Sequence, residues 1–283
     1  MIQGGEGRLL RPVVAAVLLA VLAATAAVAH PDINFVEQEV DKMVAANPGD
    51  PELLIHQAQV RQRAGNFDGA LVSLALALAH GGDRDAVATA RGAVFLAAGF
   101  PQMAAFEYGT VLAHRPDAYD VLFERGRAEL ALGHAEAADQ DFARAIGSMR
   151  TPRPEQIAVR ADTLRARGRL AEAVRALDEG MTRLGPVPSL ALTAVDLEVE
   201  LQRYDSALAR LDGLLAKTPT NAAWIVRRAE ILKQAQRTDE ARAEFTRALQ
   251  QLEAKPLQRQ SQASKTLADR LRGELAADHG GQL

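Results

Sequence analysis

The chain has 283 residues, no cysteine, 4% aromatic residues and a formal net charge of −3. The lack of cysteine excludes a disulfide framework and thiol chemistry, and the slightly acidic balance excludes the basic footprint that nucleic-acid binding needs. Alanine, the best helix former, accounts for 56 residues, which sets an expectation of closely packed helices.

In chain order the first feature is a leader. Arg8 and Arg11 precede an uninterrupted run of apolar and small residues from Val13 to Ala29, in which Thr25 is the only hydroxyl. Ala27-Val28-Ala29 gives the small-x-small pattern of a signal-peptidase site, so residues 1–29 read as a secretory signal cleaved after Ala29. The alternative is a membrane anchor over residues 13–29, a run of 17 at the lower edge for crossing a bilayer. Cleavage leaves 31 basic against 35 acidic residues, a net charge of −4. With no Asn-x-Ser/Thr sequon, this fits a bacterial periplasmic or secreted protein.

Residues 30–50 predict one capping helix. Ile33, Val36, Val40, Met43 and Val44 recur at helical spacing before Pro48, so residues 32–47 should cover the hairpin that follows. From residue 51 the chain repeats itself. Ala70, Ala104, Ala138, Ala173, Ala207 and Ala241 are separated by 34, 34, 35, 34 and 34 residues. This divides residues 51–253 into six units: 51–84, 85–118, 119–153, 154–187, 188–221 and 222–255.

Within each unit the alanine stands at position 20, and position 8 carries Ala58, Gly92, Gly126, Ala161, Val195 and Ala229. Small residues at both positions predict a crossing of two helices, because larger side chains would push the axes apart. Position 24 carries Leu74, Tyr108, Phe142, Leu177, Leu211 and Phe245, and position 28 carries Leu78, Leu112, Ile146, Met181, Leu215 and Leu249. Four residues apart on the second helix, they form one stripe expected to pack on the neighbouring unit. Gly65, Gly99, Gly133 and Gly168 at position 15 predict left-handed helix ends. Gln202 and Gln236 replace glycine in the last two units, which implies either a cost of about 1 kcal/mol each or a different turn. After Pro256 a final capping helix is expected to about Ala277, with a thin apolar line of Ala263, Leu267, Leu271 and Leu275, and a frayed tail from His279 in the segment 254–283.

These residues resemble the tetratricopeptide repeat family, with small residues at position 8, Gly at 15, Ala at 20, bulky residues at 24 and Pro48, Pro116 and Pro219 at 32. The resemblance implies an all-α solenoid of about six helix–turn–helix repeats between capping helices, wound as a right-handed superhelix. It also implies a non-catalytic scaffold for a protein or peptide partner, held in a concave groove lined by positions 2, 5, 9, 12 and 13 of the first helices. Carried onto this chain, those positions place an apolar anchor at Leu96, Phe123 and Leu130 beside Arg127, then an acidic stretch at Asp162, Asp196 and Glu230. The competing reading is that Phe123 and its neighbours pack between adjacent first helices. A subfamily that clamps chaperone C-termini uses Lys, Asn and Arg at the groove positions; this chain lacks that set, which removes a cytosolic co-chaperone role. The alternative function is a structural subunit or assembly factor of an envelope complex, contacting partners by its outer face or caps.

No catalytic constellation is present: there is no Gly-rich phosphate loop, no Cys nucleophile and no HExxH. No cofactor or metal is expected. His80 and His114, both at position 30, read as solvated loop residues rather than a metal pair, and His30 reads as a terminus rather than a copper chelate. Asp139/Asp141 and Glu198/Glu200 lie two apart on helices and read as solvated faces. The partner list therefore excludes nucleic acid and includes a membrane only if residues 13–29 stay attached. The 35-residue gap, at Met149–Pro154, marks the expected irregularity of the array.

Overall fold

The computed structural model describes residues 31–254 and 261–280. The leader expected over residues 1–29, the candidate chelate at His30, Pro256 and the last three residues lie outside them. Fourteen helices and no strand occur among the described residues. Helix α1 (Pro31–Ala46) comes first. Hairpins follow: α2 (Pro51–Arg63) with α3 (Phe67–Ala79), α4 (Arg84–Ala97) with α5 (Pro101–Leu112), and α6 (Tyr119–Ala131) with α7 (Ala135–Ser148). Then come α8 (Pro154–Ala166) with α9 (Leu170–Leu184), α10 (Pro188–Glu200) with α11 (Tyr204–Lys217), and α12 (Ala222–Gln234) with α13 (Thr238–Glu253). Helix α14 (Gln262–Gly280) runs through His279, where the sequence predicts fraying. The chain forms two compact units divided between Ala145 and Ile146, a few residues before the 35-residue gap.

Local chemistry sets the helix ends. Asp50, Asn66, Asp83 and Asn221 cap α2, α3, α4 and α12, each side chain accepting from backbone N–H groups of the first turn. Every hairpin turn uses one geometry. The residue at position 15 takes a positive φ, and the next N–H donates to the carbonyl five residues back, as in Asn66 to Arg61 at 2.8 Å and Arg203 to Glu198 at 2.7 Å. Gln202 (φ 57°) and Gln236 (φ 61°) adopt it as the glycines do, so the last two turns keep the geometry and carry the strain.

The core of each hairpin is the crossing that the small residues predict. Ala70, Ala104, Ala138, Ala173, Ala207 and Ala241 are all buried. A Cβ on Gly92 would stand 2.7 Å from the Tyr108 ring, and one on Gly126 would stand 2.7 Å from Phe142. Glycine at position 8 is therefore the space that an aromatic at position 24 occupies. Where position 24 is Leu74, Leu177 or Leu211, position 8 is Ala58, Ala161 or Val195; Phe245 against Ala229 falls outside this rule. Tyr108 and Phe142 thus press on the glycines of their own hairpins, and Tyr108 also lies within electrostatic reach of Glu124 and Arg127 on the next first helix. At position 28, Leu112, Ile146 and Leu215 are buried while Leu78 is exposed.

A polar brace crosses most hairpins between positions 7 and 23, sixteen residues apart. Gln57 Oε1 accepts from Ser73 Oγ at 2.7 Å, Arg91 makes two bonds to Glu107 at 2.8 and 2.7 Å, and Arg125 makes two to Asp141 at 2.7 Å. Arg228 lies 3.3 Å from Glu244 in the last hairpin. In the α10–α11 hairpin position 7 is Ala194, so Arg210 turns instead to Asp178, at 2.6 and 2.9 Å, and stands 2.9 Å from Glu198. The solvated reading of the acidic pairs is corrected here: Asp139, Asp141 and Glu198 are 4–5% exposed, and a facing arginine makes burial of Asp141 and Glu198 tolerable.

The caps are asymmetric. Helix α1 is clipped to α2 through Asp41, which accepts from Gln57 Nε2 at 2.6 Å and Arg61 Nη2 at 3.0 Å. Helix α14 buries Ala268 and Leu271 on the last hairpin and leaves Ala263 exposed.

Candidate functional site

The residues expected to bind a partner all lie on first helices. In the N-terminal unit, Leu96 on α4 and Leu130 on α6 are half-buried, and Arg127 is exposed with its Nη1 donating to Glu124 at 2.9 Å. Phe123 is only 7% exposed, its ring centroid 4.9 Å from that of Phe142. Its ring thus packs inside its own hairpin, and the apolar surface near Arg127 reduces to Leu96 and Leu130.

An open groove of about 520 Å³ runs along α2 and α4, lined at the expected positions by Ile55, Gln59, Gln62 and Thr89, with Arg115 and Asp120 at its edge. Gln62 Nε2 donates to the Ala93 carbonyl at 3.2 Å, tying the two first helices together. Asp85, also on the wall, accepts from His114 Nε2 at 2.7 Å. The groove positions 5, 9 and 12 thus fall on this wall in the first two repeats, ahead of the anchor expected at Leu96, Phe123 and Leu130. The small side chains Ala86, Ala90 and Ala93 also line it.

In the C-terminal unit, the acidic residues of the first helices are mostly paired with neighbours. Arg227 bonds to Asp196 at 2.5 Å, Arg270 to Glu230 at 2.6 Å, Arg165 to Glu200 and Lys233 to Glu274. Glu230, Lys233, Arg270 and Glu274 line a depression of about 430 Å³ between α12 and α14. This face is a compensated ladder of alternating charge rather than an acidic strip. Asp162 stands apart from the ladder: partial desolvation holds its carboxyl above the usual range, with Arg165 acting in the opposite sense.

No group of three or more His, Asp or Glu side chains capable of holding a metal ion occurs among the described residues. Nor is any helix among them long and apolar enough to cross a membrane.

Comparison with known proteins agrees with this geometry. Two family models described as tetratricopeptide repeat match residues 89–152 and 198–264. No curated protein matches the sequence. Among solved structures, the C-terminal part of a TPR repeat-containing protein from Cytophaga hutchinsonii is similar with a TM-score of 0.62 at 12% identity, over 83% of this chain and 94% of that one. The pilF protein of Pseudomonas aeruginosa is similar with a TM-score of 0.50 at 22% identity, over 79% of this chain and 97% of that one. At these identities the likeness is one of fold. The matched models, the fold and the 34-residue pattern of crossings and turns together identify the chain as a tetratricopeptide-repeat protein.

Proposed function

We propose that this protein is a non-catalytic scaffold of the cell envelope that holds an extended or helical segment of a partner protein against its first helices. Tetratricopeptide-repeat proteins generally act as protein-interaction scaffolds, which supports the class of work. The observation that carries the reading is the open groove of about 520 Å³ along α2 and α4, where the exposed Gln59 presents its amide beside the apolar Ile55. Amide side chains can bond the backbone of an extended segment, and the apolar floor can take its side chains. The leader at residues 1–29 supports export, with His30 as the first mature residue.

The test is site-specific photocrosslinking in the producing cell from position 59, with identification of the captured partner. Thr89→Trp fills the groove and should abolish the crosslink, and Arg127→Glu should weaken it. Capture unchanged by both substitutions overturns the groove reading. Fractionation and N-terminal sequencing address export separately: the expected product is an envelope-located chain beginning at His30. A chain retaining Met1 in the cytoplasm overturns that part.

A further inference from the structure

We propose that a second copy of this chain covers the outer faces of α3 and α5, so that the protein forms a two-fold dimer through its first two hairpins. The proposal does not depend on the groove, which lies on the first helices, and it gives the outer face a definite occupant.

Positions 19, 22 and 26 are three and four residues apart on each second helix and form one stripe. In α3 the stripe reads Gly69, Val72 and Leu76, and in α5 it reads Met103, Phe106 and Thr110. Val72 and Phe106 hold the same position one repeat apart, so both stripes face one side of the array. From the third repeat the stripe turns polar: Ala137, Gln140 and Arg144, then Glu172, Arg175 and Glu179. Exposure follows the same division. Val72, Leu76, Phe100, Met103 and Phe106 are between 45% and 70% exposed, while the described residues of the C-terminal unit expose no large hydrophobic side chain. A concentration of exposed apolar side chains on one face marks an interaction surface.

Phe100 reinforces the point. It stands at the N-cap of α5 and makes no capping bond, whereas Asn66 at the equivalent place accepts from Gly69 N at 3.0 Å. Arg169, Arg203 and Arg237 at this place in later hairpins likewise make no side-chain cap, so what sets Phe100 apart is an apolar ring that is 55% exposed.

The near-absence of charge argues for a second copy as the occupant. Over Phe67–Ala79 and Phe100–Leu112 the only charged residues are Asp68 and Glu107, and Glu107 is buried against Arg91. In a two-fold interface each patch meets itself, so charges near the axis face their like. A face almost free of charge is complementary to its own copy. A bilayer-docking face is typically flanked by basic residues, but α1 beside it offers Glu37, Glu39 and Asp41 against Lys42. Five large side chains at about half exposure present several hundred Å² per copy, and pairing two such faces buries on the order of 1,000 Å², the lower bound for a specific interface.

Sedimentation equilibrium on the protein purified as the cell processes it tests this. The wild type should show a concentration-dependent dimer. Val72→Gln with Phe106→Arg installs what the third and fourth repeats carry at position 22, so the hairpins should fold with unchanged circular dichroism. The dimer dissociation constant should rise at least about thirtyfold. Arg127→Glu should leave it unchanged. A wild type that stays monomeric to about 100 μM, or a dimer that survives the double substitution, overturns the proposal. So does wild-type protein that binds phosphatidylcholine vesicles through this face without dimerising.

Discussion

Gln202 and Gln236 sit in a backbone region where a Cβ is disfavoured, yet the turn they close is the same as its glycine counterparts. Gln202→Gly and Gln236→Gly should each raise stability by about 0.5–1 kcal/mol in equilibrium denaturation. A loss would show that the glutamine side chains contribute more than the strain removes. Tyr108 is fully buried and its hydroxyl has no hydrogen-bond partner. Burial pushes its ionisation up, with the Glu124 carboxylate adding to the effect and Arg127 opposing it. Tyr108→Phe should therefore stabilise the fold by about 1 kcal/mol; destabilisation on thermal unfolding would mean that the hydroxyl is satisfied. Glu198 is held above the usual carboxylate range by burial, against the pull of Arg210. A raised folded pKa binds the proton more tightly in the native state. The associated stability is present below the unfolded value and is lost as pH rises through the folded one. NMR titration should find Glu198 above an ordinary glutamate, and an ordinary or lower value would contradict the burial argument.

At the scale of the helix pair, the brace between positions 7 and 23 decides which polar residues can be inside. Arg125→Ala leaves the Asp141 carboxylate, 4% exposed, without its guanidinium and should cost about 2–4 kcal/mol in denaturant melts. Replacing the pair with the one the first hairpin uses, Arg125→Gln with Asp141→Ser, should cost much less, because donor and acceptor remain matched as in Gln57 and Ser73. Equal losses for the two variants would mean that shape, not pairing, sets the site. The helices, the crossings and the glycine turns were legible in the sequence because each rests on local spacing. The brace was not, because Arg125 and Asp141 are sixteen residues apart on different helices and no helical periodicity links them. For the same reason Asp141 and Glu198 resembled solvated residues until the facing arginine was in view. The candidate site was legible by position but not by direction. Register placed Phe123 on the groove side, yet Gly126 three residues on leaves room for Phe142, and the two rings meet at a tilt of 46° inside the hairpin.

Within each compact unit, the helix contacts run between helices close in order along the array, so perturbations should stay local. Helix α14 covers the last hairpin with Ala268 and Leu271 and bonds to it through Arg270 and Arg272. Ending the chain at residue 260 should lower hydrogen-exchange protection in α12 and α13 while leaving α2 to α5 unchanged. Loss of protection throughout would contradict this locality. The fit between position 8 and position 24 carries the argument into the history of such arrays. A crossover within a hairpin, joining the α10 helix with Val195 to the α7 helix with Phe142, would drive a branched side chain into a ring that needs glycine. A crossover in the loop between hairpins keeps every matched pair intact. Arrays of this kind should therefore lengthen and shorten by whole hairpins, with gene breakpoints clustered near the prolines that separate them.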